Sequence, residues 1–205
     1  MKSLLFVIFS GLLFSFHALA QAPEVGRDAA ARYFEKPVES GENRFRPQDH
    51  YLAIHYGRFM NAQSWDWGQK GREDKTGSNN YGLTYRVSEW NNAMDWSLRV
   101  DFTEYNVAGE RPLKMSLLPV LTFPDASSRF PLYFGAGAGL GIFFKQIDGE
   151  SPLSFDYQLM MGARFFNIFE NVGFFIETGM KNHLLLTSSG QFNGVYLSGG
   201  AVFTF

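Results

Sequence analysis

The most regular feature of the sequence is an alternation of apolar and other residues with a period of two. The alternation is clearest at the carboxyl-terminal end, over residues 195–205. Because successive side chains of a β-strand point to opposite faces, one face of a strand there would be continuously apolar. That face holds Val195, Leu197, Gly199, Ala201, Phe203 and Phe205.

The alternation recurs upstream in runs that mostly have about 9–11 residues, the length of a tilted strand that crosses a bilayer. Aromatic residues load the apolar faces and crowd the run ends, as in the girdles of membrane barrels. The run that contains Pro119 is the least regular, and its proline predicts a bulge or a shortened strand. The runs lie at residues 52–57, 81–88, 95–103, 113–123, 132–144, 155–165, 173–181 and 195–205.

The connections between the runs alternate in length. Those at 91–93 and 167–171 are short, whereas those at 61–80 and 183–193 are longer. Membrane barrels have short periplasmic turns and longer outer loops, so both chain ends would lie on the periplasmic side. The pattern predicts an all-β fold, an eight-stranded antiparallel transmembrane β-barrel over residues 50–205.

The region before the barrel predicts export. Lys2 precedes an apolar stretch over residues 4–16, and residues 18–20 have the small-x-small pattern of a cleavage site. This order is typical of a signal peptide, here residues 1–20, and the stretch is shorter than the ~20 residues of a membrane-spanning helix. Residues 21–49 would form a short periplasmic amino-terminal segment. Its apolar residues have the spacing of a short amphipathic helix, and a polar tether fits the segment equally well.

Composition excludes several kinds of chemistry. The 205 residues include no cysteine, and the net charge is −2. These values exclude disulfide scaffolds and cysteine-ligated zinc sites, and they offer no basic field for nucleic acid. His50, His55 and His183 lack the spacing of a metal site. We therefore expect no cofactor, no metal ion and no nucleic-acid partner.

Charged residues recur on the face opposite the apolar one, which predicts a polar barrel interior. An eight-stranded barrel is just wide enough for side chains to fill it, and unpaired charges inside it would be costly. We expect a paired structural network, with a narrow pore or a proton path as the alternative. Its predicted members are Arg86, Arg99, Asp101, Asp156, Arg164, Glu177 and Lys181.

On these features the sequence resembles the small eight-stranded outer-membrane barrels typified by OmpA-type and OmpX-type transmembrane domains. The signal pattern, the closing strand at 195–205 and a glycine-rich strand at 133–141 carry the resemblance. It implies a monomer in the outer membrane of a Gram-negative bacterium, in contact with membrane lipid and lipopolysaccharide. It also implies that the outer-membrane assembly machinery reads the last strand. The residues of that insertion signal would be Leu197, Phe203 and Phe205.

Some barrels of this kind are enzymes that modify lipid A, including deacylases and palmitoyl transferases. His183, a serine at 188 or 189, and Glu177 are candidates for such a site near the outer rim. The deacylase pattern, however, places a serine two residues after the histidine, where this chain has Leu185, and no glutamate follows on the last strand. We therefore expect no catalytic residues and a structural or surface-interaction role in the envelope. A lipid A- or phospholipid-modifying enzyme is the alternative.

Two further alternatives stay open from the sequence. Passive transport of small hydrophobic solutes would need a lateral opening, for which Pro119 is the only hint. A soluble lipocalin-like barrel also has eight alternating strands, but its outer face is polar. The apolar faces and the terminal Phe205 favour lipid on the outside.

Overall fold

The computed structural model describes residues 50–66, 71–74, 76–91, 93–107, 109–145 and 149–205, and only the backbone of 65–66 and 71–74. The predicted signal peptide and periplasmic segment lie outside these residues. Among the residues described, none belongs to a helix long and apolar enough to span a membrane.

Eight long antiparallel strands form the wall of the molecule. Apart from the short β2, which pairs with the outer end of β1, each strand pairs with the next along the chain. The first and last strands also pair, from Tyr51 with Thr204 to Asp66 with Gly190, so the sheet closes into a barrel. The strands are β1 (Tyr51–Asp66), β2 (Gly71–Asp74), β3 (Gly77–Trp90), β4 (Met94–Tyr105), β5 (Leu113–Phe123), β6 (Leu132–Phe143), β7 (Leu153–Phe169), β8 (Val172–Leu185) and β9 (Gly190–Thr204).

The predicted eight-stranded barrel is thus confirmed, and the eight alternating runs fall in the eight long strands. On β9 the apolar Leu197 is 44% exposed on the outer face, whereas the intervening Tyr196 and Val202 are at most 1% exposed. Apolar side chains therefore cover the outer wall, which is the arrangement of a barrel in lipid.

Strand β7 runs further than the alternation predicts. The sequence places a connection at 167–171, but β7 continues to Phe169, and Phe169 pairs with Val172 across a tight turn. Asn167 there has a positive φ of 52°, and the register shifts between Phe165 and Phe169. This irregularity breaks the period of two while the ladder continues, so the sequence pattern stops before the strand does.

Pro119 lies inside a strand of full length. It pairs with Leu98 on β4, but the β5–β6 register has no pairs between Leu117↔Leu140 and Val120↔Gly137. Proline has no N–H to donate, so one ladder cannot continue through it. The irregularity predicted here affects the pairing with β6 and not the length of β5.

The β1–β9 seam yields a first testable prediction. A Cβ added at Gly200 would clash with the backbone carbonyl oxygen of Ile54, whereas one added at Gly199 meets nothing closer than 3.4 Å. Gly200→Ala should therefore lower the free energy of unfolding by about 1–3 kcal/mol, the usual cost of overpacking. Gly199→Ala, the matched control, should change it little. Urea unfolding in detergent, read by heat-dependent gel migration, measures both, and equal midpoints would refute this account of the seam.

Candidate functional site

Charged side chains fill the barrel interior in three groups at different depths. We call them the outer, middle and periplasmic clusters, since they follow the strands from the long connections to the short turns. The outer cluster is Lys114, Ser154, Asp156 and His183; the middle cluster is His55, Arg99, Asp101, Glu177 and Lys181; the periplasmic cluster is Tyr51, Arg86, Asp95 and Arg164.

In the periplasmic cluster two guanidinium groups share one carboxylate. Asp95 accepts hydrogen bonds from Arg86 Nε at 2.7 Å and from Arg164 Nη1 at 3.1 Å. Arg164 also donates to the hydroxyl of Tyr51 at 2.8 Å and lies 4.5 Å from the ring centre of Tyr133. Its guanidinium thus fills the lumen near the periplasmic end.

The middle cluster pairs each of its charges across the barrel. Arg99 donates from Nε to Asp101 at 3.0 Å and from Nη1 to Glu177 at 2.8 Å. Lys181 Nζ donates to the other oxygen of Asp101 at 2.5 Å. Glu177 also accepts from the hydroxyls of Tyr133 and Tyr196, both at 2.7 Å. The lone pairs of these buried carboxylates are therefore well satisfied.

His55 belongs to this middle cluster. Its Nε2 lies 3.0 Å from Asp101 Oδ1 and 3.1 Å from Arg99 Nη2. Its Nδ1 has no hydrogen-bond partner among the residues described. Because Arg99 and Lys181 already neutralise Asp101 and Glu177, His55 fits this cluster as a structural side chain.

The outer cluster is built around Asp156. Lys114 Nζ contacts both carboxylate oxygens of Asp156, each at 2.5 Å, and the hydroxyl of Ser154 donates to Oδ1 at 2.7 Å. His183 Nδ1 lies 2.9 Å from the same oxygen and 2.5 Å from Lys114 Nζ. All four side chains are buried, since the strand alternation turns each of them inward.

His183 Nδ1 contacts both the carboxylate of Asp156 and the ammonium of Lys114, so the tautomer decides which ring nitrogen carries the lone pair. In the tautomer whose Nδ1–H donates to Asp156, the lone pair of Nε2 points away from the carboxylate. Among the described residues Nε2 has no hydrogen-bond partner. A carboxylate on one ring nitrogen and a free lone pair on the other form the orienting pair used in hydrolysis.

An aromatic and aliphatic cap covers the outer cluster. Tyr105 lies edge-on to the ring of His183, with the ring centres 5.9 Å apart, and packs on Phe192 at 4.8 Å. Phe143 and Leu185 complete this buried group. Leu185 occupies the position at which the deacylase pattern has serine, and its side chain packs in the cap.

The catalytic candidates from the sequence do not meet. Glu177 and His183 share the inner face of β8, but Glu177 contacts the middle cluster and His183 the outer one. The hydroxyl of Ser188 accepts a hydrogen bond from the Ser151 N–H at 3.2 Å, in the outer connections. The structure instead brings His183 to Asp156, a pair that the sequence does not reveal.

Six of the seven residues of the predicted interior network are buried, Arg164 is half-buried, and each of the seven has a charged partner. Asp95 and Lys114 are also buried members of this interior network, and the sequence did not predict them. Their inward position on alternating strands is the signal that could have identified them. Lys114 was overlooked because its run contains Pro119, and Asp95 because it lies at the very start of a strand.

Little free volume is left between the clusters. The cavity between the middle and periplasmic clusters has a volume of about 30 Å³, about the space of one water molecule. Within the described part of the chain, no three His, Asp or Glu side chains are grouped so as to hold a metal ion.

The middle cluster yields a second testable prediction. Arg99→Leu would leave Asp101 and Glu177 short of a buried partner, which should cost about 3–5 kcal/mol of folding free energy. Arg111→Leu, at an exposed position before β5, removes the same charge and should cost less than about 0.5 kcal/mol. Urea titration of both proteins in the same detergent measures the difference. Similar midpoints would show that the cluster contributes little to stability.

A known protein family resembles this chain. The family model described as lipid A 3-O-deacylase (PagL) matches residues 55–177, more than half of the chain. A comparison with curated protein sequences found none that matches.

Several solved structures are similar to the chain. Neisserial surface protein A is 15% identical, with a TM-score of 0.47 over 76% of this chain and 97% of that one. The outer membrane enzyme PagL is 16% identical, with a TM-score of 0.45 over 76% and 99%. The amino-terminal β-barrel domain of Pseudomonas aeruginosa OprF is 14% identical, with a TM-score of 0.42 over 76% and 99%.

Proposed function

The chain belongs to the lipid A 3-O-deacylase (PagL) family, and on that premise we propose that it hydrolyses an acyl ester of lipid A in the outer membrane. The family match over residues 55–177 carries this proposal. It also corrects the expectation of a barrel without catalytic activity, because the family is one of enzymes. That expectation rested on a missing serine at position 185 and on the absence of a glutamate from the last strand, and both places lie beyond the matched residues.

The protein is an outer-membrane β-barrel, and the place of His183 in it suits a substrate in the outer leaflet. His183 lies two residues before the end of β8, next to an outer connection. Asp156 and Lys114 both contact its Nδ1, and its Nε2 has no hydrogen-bond partner among the described residues. We assign His183 as the general base and Asp156 as the residue that positions it.

Water serves as the nucleophile in this proposal, because Leu185 replaces the serine of the deacylase pattern. His183 Nε2 takes a proton from water, and the hydroxide oxygen forms a bond with the ester carbonyl carbon. The bond between that carbon and the sugar oxygen then breaks, and the sugar oxygen takes the proton from His183. A free fatty acid and a sugar hydroxyl leave the site, and His183 is neutral again.

The cap sets the condition for access. The side chains of the cap lie between His183 and the outer connections, so they must move apart before an ester reaches Nε2. These side chains are Tyr105, Phe143, Leu185 and Phe192. Phe143 ends β6 and Leu185 ends β8, and side chains at strand ends move more easily than those in mid-strand. We propose that the substrate's own acyl chain replaces the apolar contacts of the cap.

A structural role in the envelope is the second candidate, and the charge-filled interior favours it. Such an interior does not favour passive transport of hydrophobic solutes through the lumen. The expected contact with lipopolysaccharide and the expected monomeric state remain predictions. The same holds for the insertion signal at Leu197, Phe203 and Phe205. Leu197 and Phe203 do face outward on β9, where another protein can reach them.

A third testable prediction concerns lipid A itself. Cells that produce the protein should contain lipid A lighter by one acyl chain, and His183→Asn should lower this conversion by about 100-fold or more. The control is His50→Asn, which changes an exposed histidine at the periplasmic end. Mass spectrometry of lipid A measures the conversion, and heat-dependent gel migration verifies that each barrel is folded. Unchanged lipid A in cells whose outer membrane holds folded wild-type protein would refute the proposed hydrolysis.

A further inference from the structure

A groove crosses the lipid-facing wall, on the opposite side of the backbone from the clusters. Its volume is about 710 Å³, within the range of roughly 300–1,000 Å³ that is typical of small-molecule sites. Trp96 and Leu121 form one wall, and Tyr157 and Leu159 form the other. The outer wall of the barrel thus has a concave strip large enough for a lipid chain.

Small residues on β6 form the floor of this groove. Ala136 lies between Leu121 and Leu159 in the strand register, and Ala138 pairs with Tyr157. On the other side of Ala138 the register with β5 is interrupted at Pro119. Large apolar residues thus flank two methyl groups and a proline ring, which leaves the strip between them open.

One end of the groove is polar and lies at the periplasmic rim. The β3–β4 register shifts between Arg86 and Ser88, and the shift leaves Ser88 paired with the outward-facing Trp96. Ser88, Glu89 and Trp90, the last three residues of β3, line this end. The hydroxyl, carboxylate and indole N–H groups found here suit the polar interface of a membrane.

The other end lies deeper in the membrane. Leu159 is ten residues from the periplasmic end of β7 and six from its outer end. The register places four strand spacings between Ser88 and Leu159, or about 19 Å measured along the wall, across the strands. Because barrel strands tilt by about 35–45°, this row crosses the membrane obliquely and covers roughly 11–14 Å of its depth. An acyl chain from one leaflet, about 15 Å long, therefore fits along the groove when it lies obliquely on the wall.

We propose that the groove binds one acyl chain of a phospholipid from the periplasmic leaflet, with its ester end at Ser88, Trp90 and Trp96. The wall faces the bilayer, so acyl chains are the molecules that contact it. The position of the polar end decides which lipid supplies the chain. The polar part of lipid A lies at the outer surface, whereas the polar part of a phospholipid in the inner-facing leaflet lies at the periplasmic rim. This site is separate from His183 and does not depend on the proposed hydrolysis.

Native mass spectrometry of the full-length protein, released from nanodiscs that contain equal amounts of phosphatidylethanolamine and lipid A, tests the proposal. The wild type should retain one phosphatidylethanolamine. The double variant Ala136→Leu and Ala138→Leu fills the floor with side chains that lipid tolerates, and it should reduce retention about tenfold or more. Ala201→Leu on β9 makes the same change on the outward face elsewhere and should leave retention unchanged.

Three results would overturn the proposal. The first is that the double variant and the wild type retain phosphatidylethanolamine equally, while gel migration shows that both are folded. That result would indicate lipid bound around the whole barrel. The second is retention of lipid A in place of phosphatidylethanolamine, which would assign the groove to the outer leaflet. The third is a wild type without retained lipid. None of these results bears on the hydrolysis of lipid A.

Discussion

The pairing of β1 with β9 is the constraint on which the rest of the structure depends. In hydrocarbon an unpaired strand edge is costly, because no water is present to satisfy its N–H and C=O groups. The seam from Tyr51 to Asp66 removes that edge. Once the sheet is closed, each residue faces either lipid or the lumen, and a narrow lumen forces its charged side chains into contact with one another. The three clusters follow from closure.

Within this packed interior His183 differs from its neighbours in what covers it. The carboxylates of Asp101 and Glu177 accept hydrogen bonds from three or more strands, as a structural core requires. The ring of His183, like that of His55, is held on one nitrogen only, but His183 alone of the two lies beneath the cap, whose side chains come from strand ends. The outer cluster therefore combines a rigid support with a surface that can open, and this pairing suits catalysis better than the middle cluster does.

The sequence predicts the face of each residue well but not its depth. Period two places Glu177 and His183 on the same side of β8, and the structure agrees, yet the two residues contact different clusters. Which residues meet across the lumen depends on the tilt and stagger of the strands, which one strand's pattern does not contain. Asp156 and His183 are therefore found only after closure. The sequence also does not predict the extension of β7 past Asn167. An irregular residue there interrupts the apolar alternation, although the hydrogen-bonded pairing with β8 continues.

The expectation of no catalytic activity was wrong for a different reason. It depended on two local departures from the deacylase pattern, Leu185 in place of a serine and no glutamate on the last strand. The family resemblance is instead spread over residues 55–177, most of which are wall positions. Closure and lipid contact each place a weak constraint on many positions of a barrel. A family relationship is therefore easier to detect over the whole wall than in a short motif.

The distances along the chain between the interior partners have a consequence for how the barrel is made. Arg164 meets Tyr51 across 113 residues and Lys181 meets Asn80 across 101. A barrel that is threaded into the membrane one hairpin at a time would hold Arg99, already inserted on β4, without Glu177 from β8. In that order of insertion the early hairpins would keep their charged faces toward water until the last strands arrive. The interior charges would then be neutralised together, when the carboxyl-terminal strands close the barrel.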